Sequence, residues 1–124
     1  MSSSVPEDLQ YTSEHEWVAL DGGIATVGVT AYAADQLGEV VYVALPTPGT
    51  MLRAGQVFGE IESTKSVSEL YAPVAGDVVE VNDAIVGDPE AVNRDAYAAW
   101  LIRVRVTGAP ELMDAASYLA LIGG

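Results

Sequence analysis

The fold is decided by residues 56–82, QVFGEIESTKSVSELYAPVAGDVVEVN, in which three short strand patterns alternate with turn signals. The first strand is predicted over residues 56–61. One of its faces is expected to carry Val57, Gly59 and Ile61. Apolar alternation resumes over residues 67–71 and again over residues 77–81. Between the first two strands, small and polar residues surround Lys65, which predicts a hairpin with an exposed tip.

Further strand patterns lie on both sides of this stretch. Residues 16–20 and 24–29 are separated by an Asp-Gly-Gly turn that is typical of a hairpin. Residues 39–45 form another strand pattern, and residues 100–106 alternate between apolar and basic side chains. Many short strands with regular turn signals predict a mainly β fold. We expect a flattened β-sandwich or barrel with small peripheral helices and a C-terminal helix.

Three helix signals interrupt the strands. Thr30 is typical of an N-cap for a short helix over residues 31–37, which Gly38 ends. The Asp-Pro-Glu sequence at residues 88–90 predicts a second helix start. The C-terminal helix is predicted to begin at the Pro-Glu pair and to run over residues 110–121.

The composition limits the class of protein. A length of 124 residues suits one compact domain over residues 1–124, and 50% apolar residues allow a buried core. There are 18 acidic against 5 basic residues, for a net charge of −13. Such a chain repels nucleic-acid phosphates and anionic membrane surfaces, so neither is an expected partner. The charge would attract a basic protein partner, although it can equally serve solubility alone.

Targeting and redox chemistry are also constrained by the sequence. No apolar run is long enough to span a bilayer, and residues 1–10 carry acidic but no basic residues. We therefore expect a cytoplasmic protein. The chain has no cysteine, so any redox-active sulfur must arrive on a prosthetic group.

Lys65 is the only lysine and the main candidate for a functional residue. An exposed tip with the small neighbours Thr64 and Ser66 would let another enzyme reach its amine. A solvated turn lysine without a function is the common alternative, and spacing alone favours that alternative.

Several ordered motifs closely resemble the H-protein family of the glycine cleavage system. Two of them lie in the deciding stretch, Glu-Ser-Thr-Lys at residues 62–65 and the segment over residues 69–82. The other matching blocks are residues 15–17, 27–30, 32–33, 37–41, 45–46, 96–97 and 100. The resemblance extends over residues 11–106 and so covers most of the chain.

The resemblance implies a lipoyl-carrier fold and a carrier that is not itself an enzyme. Lys65 would bear lipoic acid through an amide, which removes the charge of the amine. Glu62 and Gly76 occupy positions that help the lipoylating enzyme to recognise the hairpin in this family. For Gly76, a turn that requires glycine is an alternative explanation, and both explanations can hold together.

The same resemblance implies a circuit of partner enzymes. The lipoyl arm would accept the aminomethyl group of glycine at a pyridoxal-phosphate-dependent glycine decarboxylase. An aminomethyltransferase would then release ammonia and pass the one-carbon unit to tetrahydrofolate. Dihydrolipoamide dehydrogenase would finally reoxidise the arm.

Members of the family hold the loaded arm in a surface cleft. Because an aminomethylated arm is cationic, carboxylates suit such a cleft. Glu16 and Glu69 match cleft positions of the family, whereas Glu14 stands where some relatives have serine. The alternative is that all three are ordinary surface acids.

Other functions are consistent with parts of the sequence. The chain could be an H-like protein that serves different enzymes, or an unmodified acidic β-domain that only binds a protein. A biotin carrier is disfavoured, because Thr64 and Ser66 rather than methionines flank Lys65. His15 is the only histidine and lacks the ligand spacing of a metal site, so no metal is expected and a structural or cleft-lining role is favoured.

Overall fold

The computed structural model describes residues 5–108 and 110–123. Within them lie nine β-strands and four short α-helices. The strands are Gln10–Tyr11 (β1), Glu16–Asp21 (β2), Ile24–Val29 (β3), Val40–Ala44 (β4), Met51–Leu52 (β5), Val57–Ser63 (β6), Val67–Tyr71 (β7), Gly76–Val81 (β8) and Ile102–Val106 (β9). The helices are Ala31–Leu37 (α1), Asp83–Gly87 (α2), Ala91–Arg94 (α3) and Ala115–Leu121 (α4). None of these helices is long and apolar enough to cross a bilayer.

The strands form two antiparallel sheets. The larger sheet has the order β1-β2-β3-β9-β8-β5, and the smaller one has the order β4-β6-β7. One apolar cluster joins them, since it contains Val27 and Val78 of the larger sheet and Val43 and Ile61 of the smaller one. The predicted mainly β fold is therefore confirmed, and its form is a sandwich of two sheets rather than a closed barrel.

Strand β9 shows the side-chain alternation that the sequence predicts. Ile102 and Val104 are fully buried opposite Val27 and Ala25 of β3. The intervening Arg103 points outward and forms a salt bridge with Glu80 on β8, with 2.7 Å between Nη1 and Oε1. Both side chains of this salt bridge are accessible to water, so it contributes little stability. Strand β9 is therefore held in the sheet mainly by its buried apolar face.

The predicted face of β6 is wrong at its beginning. The register of β6 against β7 shifts between Val57 and Gly59, which places a β-bulge at Phe58. Phe58 is buried, whereas Val57 is exposed and Ile61 is buried. A bulge sets two residues against one and so reverses the alternation at that point. Val57 and Ile61 therefore lie on opposite faces.

Helix α1 matches the prediction, and α2 was not predicted. Thr30 caps α1 by accepting a hydrogen bond from the Ala33 N–H, and Gly38 ends the helix with a positive φ of 80°. Asn82 caps α2 in the same way through the Ala84 N–H. Asp88, the predicted N-cap, follows the end of α2, and its N–H bonds to the carbonyl of Ile85. The helix predicted from the Asp-Pro-Glu sequence is present as α3 but begins later, at Ala91 with Glu90 as its N-cap.

The C-terminal helix is confirmed but begins later than predicted. It starts at Ala115, because Asp114 is the N-cap and accepts a hydrogen bond from the Ser117 N–H over 2.8 Å. The preceding Met113 pairs with Tyr11 through two backbone hydrogen bonds of 2.8 Å. This pairing fixes the approach of α4 to β1.

A second apolar cluster anchors α4 to the larger sheet. Tyr118 of α4 is fully buried, and its ring stacks on that of Tyr11 with 4.8 Å between the centroids. Trp17 belongs to the same cluster. Its indole N–H donates to the carbonyl of Ala96 over 3.0 Å.

Candidate functional site

Lys65 lies at the exposed tip of the hairpin between β6 and β7. The turn is closed by a hydrogen bond of 2.8 Å from the Ser63 N–H to the carbonyl of Ser66. The Ser63 hydroxyl oxygen accepts from the N–H groups of Lys65 and Ser66, at 3.3 and 3.1 Å. The backbone of the tip is thus held in place while Thr64, Lys65 and Ser66 keep their side chains in solvent.

The segment that follows α1 supports the hairpin tip. The Thr64 N–H donates to the carbonyl of Glu39 over 3.1 Å. Asn93 of α3 fixes that segment, because its side chain donates to the carbonyl of Gly38 and accepts from the Val40 N–H, at 2.7 and 2.8 Å. The stem of Lys65 runs past Gly38, where an added Cβ would lie 3.4 Å from Lys65 Cε. The support acts on the backbone and stem and leaves the amine accessible.

A cleft of about 410 Å³ opens beside the tip. One wall is β7 with its preceding turn, and the others are α1 and residues 14–16. The polar and charged groups around it are Glu14, His15, Glu16, Tyr32, Gln36, Ser66, Ser68 and Glu69. Its apolar floor contains Val29, Leu37, Ile61 and Leu70. An amphipathic group attached at the tip would find both kinds of contact here.

Glu16 is a buried carboxylate at the wall of this cleft. Its Oε1 accepts from the Thr12 hydroxyl and its Oε2 accepts from the Tyr71 N–H, each over 2.9 Å. Burial raises the pKa of Glu16 to about 7, although these two hydrogen bonds oppose the shift and nearby Glu14 adds to it. Glu16 therefore titrates close to neutral pH.

The other two predicted cleft acids are solvent-exposed. Glu69 lies on β7 and accepts a hydrogen bond of 3.1 Å from the Tyr71 hydroxyl. Glu14 precedes β2, and its backbone N–H donates to the Thr12 hydroxyl oxygen over 3.2 Å. Both line the cleft, so the structure brings Glu14, Glu16 and Glu69 together there.

The two predicted recognition residues lie outside the cleft. Glu62 is half-buried on β6, where it pairs with Val67 across the hairpin. Gly76 begins β8 in the larger sheet and has a φ of +153°. A Cβ at Gly76 would overlap the carbonyl oxygen of Arg105. The backbone therefore has its own reason to require glycine there.

Sequence reasoning favoured a structural or cleft-lining role for His15, which lines the cleft, but missed the tyrosines that contact it, Tyr32 and Tyr118. His15 has a φ of +69°, a left-handed conformation that is uncommon without glycine. Its Nδ1 shares a hydrogen bond of 2.9 Å with the Tyr118 hydroxyl, which shares another of 2.7 Å with Thr30 Oγ1. The His15 ring also packs on Tyr32 of α1, with 5.0 Å between centroids. Burial lowers the pKa of His15 and raises that of Tyr118 to about 12.

Sequence comparisons with known proteins agree on one family. A family model described as glycine cleavage H-protein matches residues 9–122. The glycine cleavage system H protein of Beutenbergia cavernae is 60% identical over 98% of this chain and 98% of its own. That of Clavibacter sepedonicus is 57% identical over 93% of this chain and 94% of its own.

A solved structure agrees with these sequence matches. The crystal structure of a glycine cleavage system H protein from Mycobacterium marinum has a TM-score of 0.92 and 42% identity. The match covers 97% of this chain and 100% of that one. Because sequence and fold agree over nearly the whole length of both proteins, the chain belongs to the glycine cleavage H-protein family.

Proposed function

We propose that Lys65 carries lipoic acid through an amide and that the neighbouring cleft holds the loaded arm. As a member of its family, the chain is the lipoyl carrier component of the glycine cleavage system. The observation that carries the proposal is the position of Lys65, the only lysine, at an ordered and exposed tip beside an acid-lined cleft.

The hairpin fits the attachment reaction. A lipoylating enzyme must reach the amine of Lys65, and the exposed neighbours Thr64 and Ser66 are both small. The hydrogen bonds of Ser63 hold the turn, so the enzyme meets a preformed backbone. We assign Glu62 to recognition by that enzyme, because it lies on β6 close to the tip. Gly76 belongs to the same recognition motif, in addition to its backbone requirement.

The cleft fits a cationic loaded arm. Once attached, the lipoyl group would supply the redox-active dithiolane that a chain without cysteine lacks, and with it the chemistry needed to take up an aminomethyl group. Glu14 and Glu69 can approach the cationic end because both are exposed at the cleft. Glu16 offers a carboxylate that the fold already orients through Thr12 and Tyr71. The apolar floor receives the hydrocarbon part of the arm.

The partners follow from this role. We propose that the lipoylated protein is non-catalytic and visits glycine decarboxylase, aminomethyltransferase and dihydrolipoamide dehydrogenase in turn. It would act in the cytoplasm. Attachment to the carrier raises the effective concentration of the arm at each enzyme once the carrier docks.

The mass of the intact protein tests the attachment directly. After incubation with a lipoylating enzyme, the wild-type chain should gain the mass of one lipoyl group, and peptide mapping should place it on Lys65. Lys65→Arg keeps a positive charge but lacks the amine nucleophile, so this variant should fold normally, gain no mass and fail to support glycine cleavage. A wild-type chain that stays unmodified, or an active Lys65→Arg variant, would contradict the proposal.

A further inference from the structure

The side chain of Asn93 bridges the backbone on both sides of Glu39. Its amide nitrogen donates to the carbonyl of Gly38 over 2.7 Å, and its Oδ1 accepts from the Val40 N–H over 2.8 Å. The carbonyl of Glu39 instead accepts from the Thr64 N–H over 3.1 Å. This alternation of partners is typical of a strand that lies between two neighbours. The three-residue segment is therefore held between the amide of Asn93 and the hairpin tip.

The amide takes the place of a strand that the smaller sheet lacks. Strand β4 is at the edge of that sheet, whose order is β4-β6-β7. At the start of β4, Asn93 supplies one donor and one acceptor, as a further strand would. Helix α3 keeps this side chain in position, because the adjacent Val92 is fully buried in the core. Asn93 itself is exposed, so its replacement leaves the core intact.

The same segment also contacts the stem of Lys65. An added Cβ on Gly38 would lie 3.4 Å from Lys65 Cε and 3.9 Å from Nζ, so the lysine stem passes over a residue without a side chain. Gly38 directly follows Leu37, which belongs to the floor of the cleft. The position of Gly38 therefore affects the direction in which the lysine leaves the tip.

We propose that Asn93 is a positioning residue for Lys65. By holding residues 38–40, it fixes the tip through Thr64 and supports the stem through Gly38, so that the amine is presented to the lipoylating enzyme in one orientation. The inference deepens the proposed function and rests on it. A tip that is already ordered loses less conformational entropy when it docks in an enzyme. Loss of the two amide hydrogen bonds should therefore weaken docking and leave the chemical step unchanged.

Asn82 provides a matched control. Its side chain also donates to one carbonyl and accepts from one N–H, those of Trp100 and Ala84, at 2.8 and 3.3 Å. Asn82 is the N-cap of α2, whereas Asn93 bonds to the segment that contacts the tip. Asn93→Ala and Asn82→Ala therefore remove the same two kinds of hydrogen bond in different places. Circular dichroism verifies that both variants are folded.

Hydrogen exchange of the unmodified protein measures the order of the tip. The Thr64 N–H should exchange about fivefold faster in Asn93→Ala than in the wild type, because its acceptor segment has lost two hydrogen bonds. Asn82→Ala should leave the exchange of Thr64 unchanged. The N–H of buried Val78, which donates to the carbonyl of Thr50 over 2.8 Å, reports on global unfolding in each protein. A change at Thr64 without an equal change at Val78 is local to the tip.

The kinetics of lipoylation test the presentation of Lys65. Asn93→Ala should raise the KM for the protein substrate about fivefold with an unchanged kcat, whereas Asn82→Ala should match the wild type. Asn93→Asp keeps an acceptor for the Val40 N–H and should raise KM less. If Asn93→Ala does not fold, Asn93→Asp replaces it in both measurements.

Two results would overturn the proposal. In one, Thr64 exchanges equally fast in the Asn93 and Asn82 variants, so that Asn93 does not hold the tip. In the other, the KM of the Asn93 variant stays within about twofold of that of Asn82→Ala, so that a held tip does not matter for lipoylation. A wild-type chain that is not lipoylated rejects the carrier function instead, and this failure is separate because exchange at Thr64 needs no modification.

Discussion

Glu16 joins the two sheets of the protein through the backbone N–H of Tyr71. Its Oε2 accepts that hydrogen bond over 2.9 Å, so the first residue of β2 in the larger sheet is bound to the last residue of β7 in the smaller one. Strand β7 is an edge strand, and its Tyr71 N–H would otherwise be exposed to solvent or to another chain. The same carboxylate therefore closes a sheet edge and forms part of the cleft wall.

This arrangement makes stability depend on pH. Burial raises the pKa of Glu16 from 4.5 to about 7, so between these values the folded protein binds more protons than the unfolded chain. The stabilisation linked to Glu16 is fully present below pH 4.5 and is lost as the pH rises to about 7. The expected loss is on the order of 3 kcal/mol in the free energy of unfolding.

Glu16→Gln isolates this contribution, because glutamine does not titrate. Both proteins are unfolded with urea from pH 4 to 8. The wild type should lose stability relative to the variant between pH 4.5 and about 7, and the difference between the two proteins should stay constant above about pH 7. A difference between the two proteins that does not vary with pH would show that Glu16 has an ordinary pKa.

The same substitution tests the cleft. In the lipoylated and aminomethylated protein, Glu16→Gln should leave attachment at Lys65 intact but release ammonia about tenfold faster, because a hydrogen bond to a charged group contributes roughly 1.5–3 kcal/mol. Glu60→Gln changes an exposed acid on β6 that does not line the cleft, and it should release ammonia at the wild-type rate. Equal release from wild type and Glu16→Gln would remove Glu16 from the arm site.

The sequence predicts the parts of the fold that depend on local pattern. Strand β3, strand β7 and helix α1 have the predicted limits, since their alternation and caps are encoded within a few residues. The bulge at Phe58 could not be predicted, because it arises from the register between two strands. Short strand β1 depends equally on pairing, with β2 on one side and Met113 on the other.

The candidate site likewise contains one residue that could be predicted and one that could not. Lys65 could be predicted only from family resemblance, because its small neighbours alone are equally typical of an ordinary turn lysine. Tyr118 could not, because its contact with His15 spans 103 positions in the sequence. No local pattern distinguishes a tyrosine that supports a distant cleft from one that simply packs a helix against a sheet.

Tyr118 should support the cleft mainly through its hydroxyl group. Tyr118→Phe keeps the ring that stacks on Tyr11 but removes the hydrogen bonds to His15 and Thr30. Because the hydroxyl is buried, we expect a loss of about 1–3 kcal/mol in the free energy of unfolding, measured with urea. Tyr42→Phe removes the hydroxyl of an exposed tyrosine and should change stability by less than about 0.5 kcal/mol. Equal stabilities for the two variants would assign Tyr118 to packing alone.

Substitution of Gly76 tests whether this residue serves folding, recognition by the lipoylating enzyme, or both. A Cβ at this position would meet the carbonyl oxygen of Arg105, which is backbone within a central pair of strands and cannot move aside cheaply. We therefore expect Gly76→Ala to lower the free energy of unfolding by about 1–3 kcal/mol, as overpacking in a well-packed site does. Gly87→Ala is the control, because Gly87 has open space around its Cβ position and should tolerate alanine without loss.

The decisive measurement compares lipoylation of Gly76→Ala under conditions where the variant is folded, as verified by circular dichroism and urea unfolding. If the folded variant is lipoylated at the wild-type rate, Gly76 acts through β8 and its pairing with Val106. If the folded variant is lipoylated more slowly while Gly87→Ala is not, the lipoylating enzyme recognises the backbone at Gly76 itself. A Gly76→Ala variant as stable as the wild type would contradict the steric argument, because β8 and β9 would then have room for a methyl group at this position.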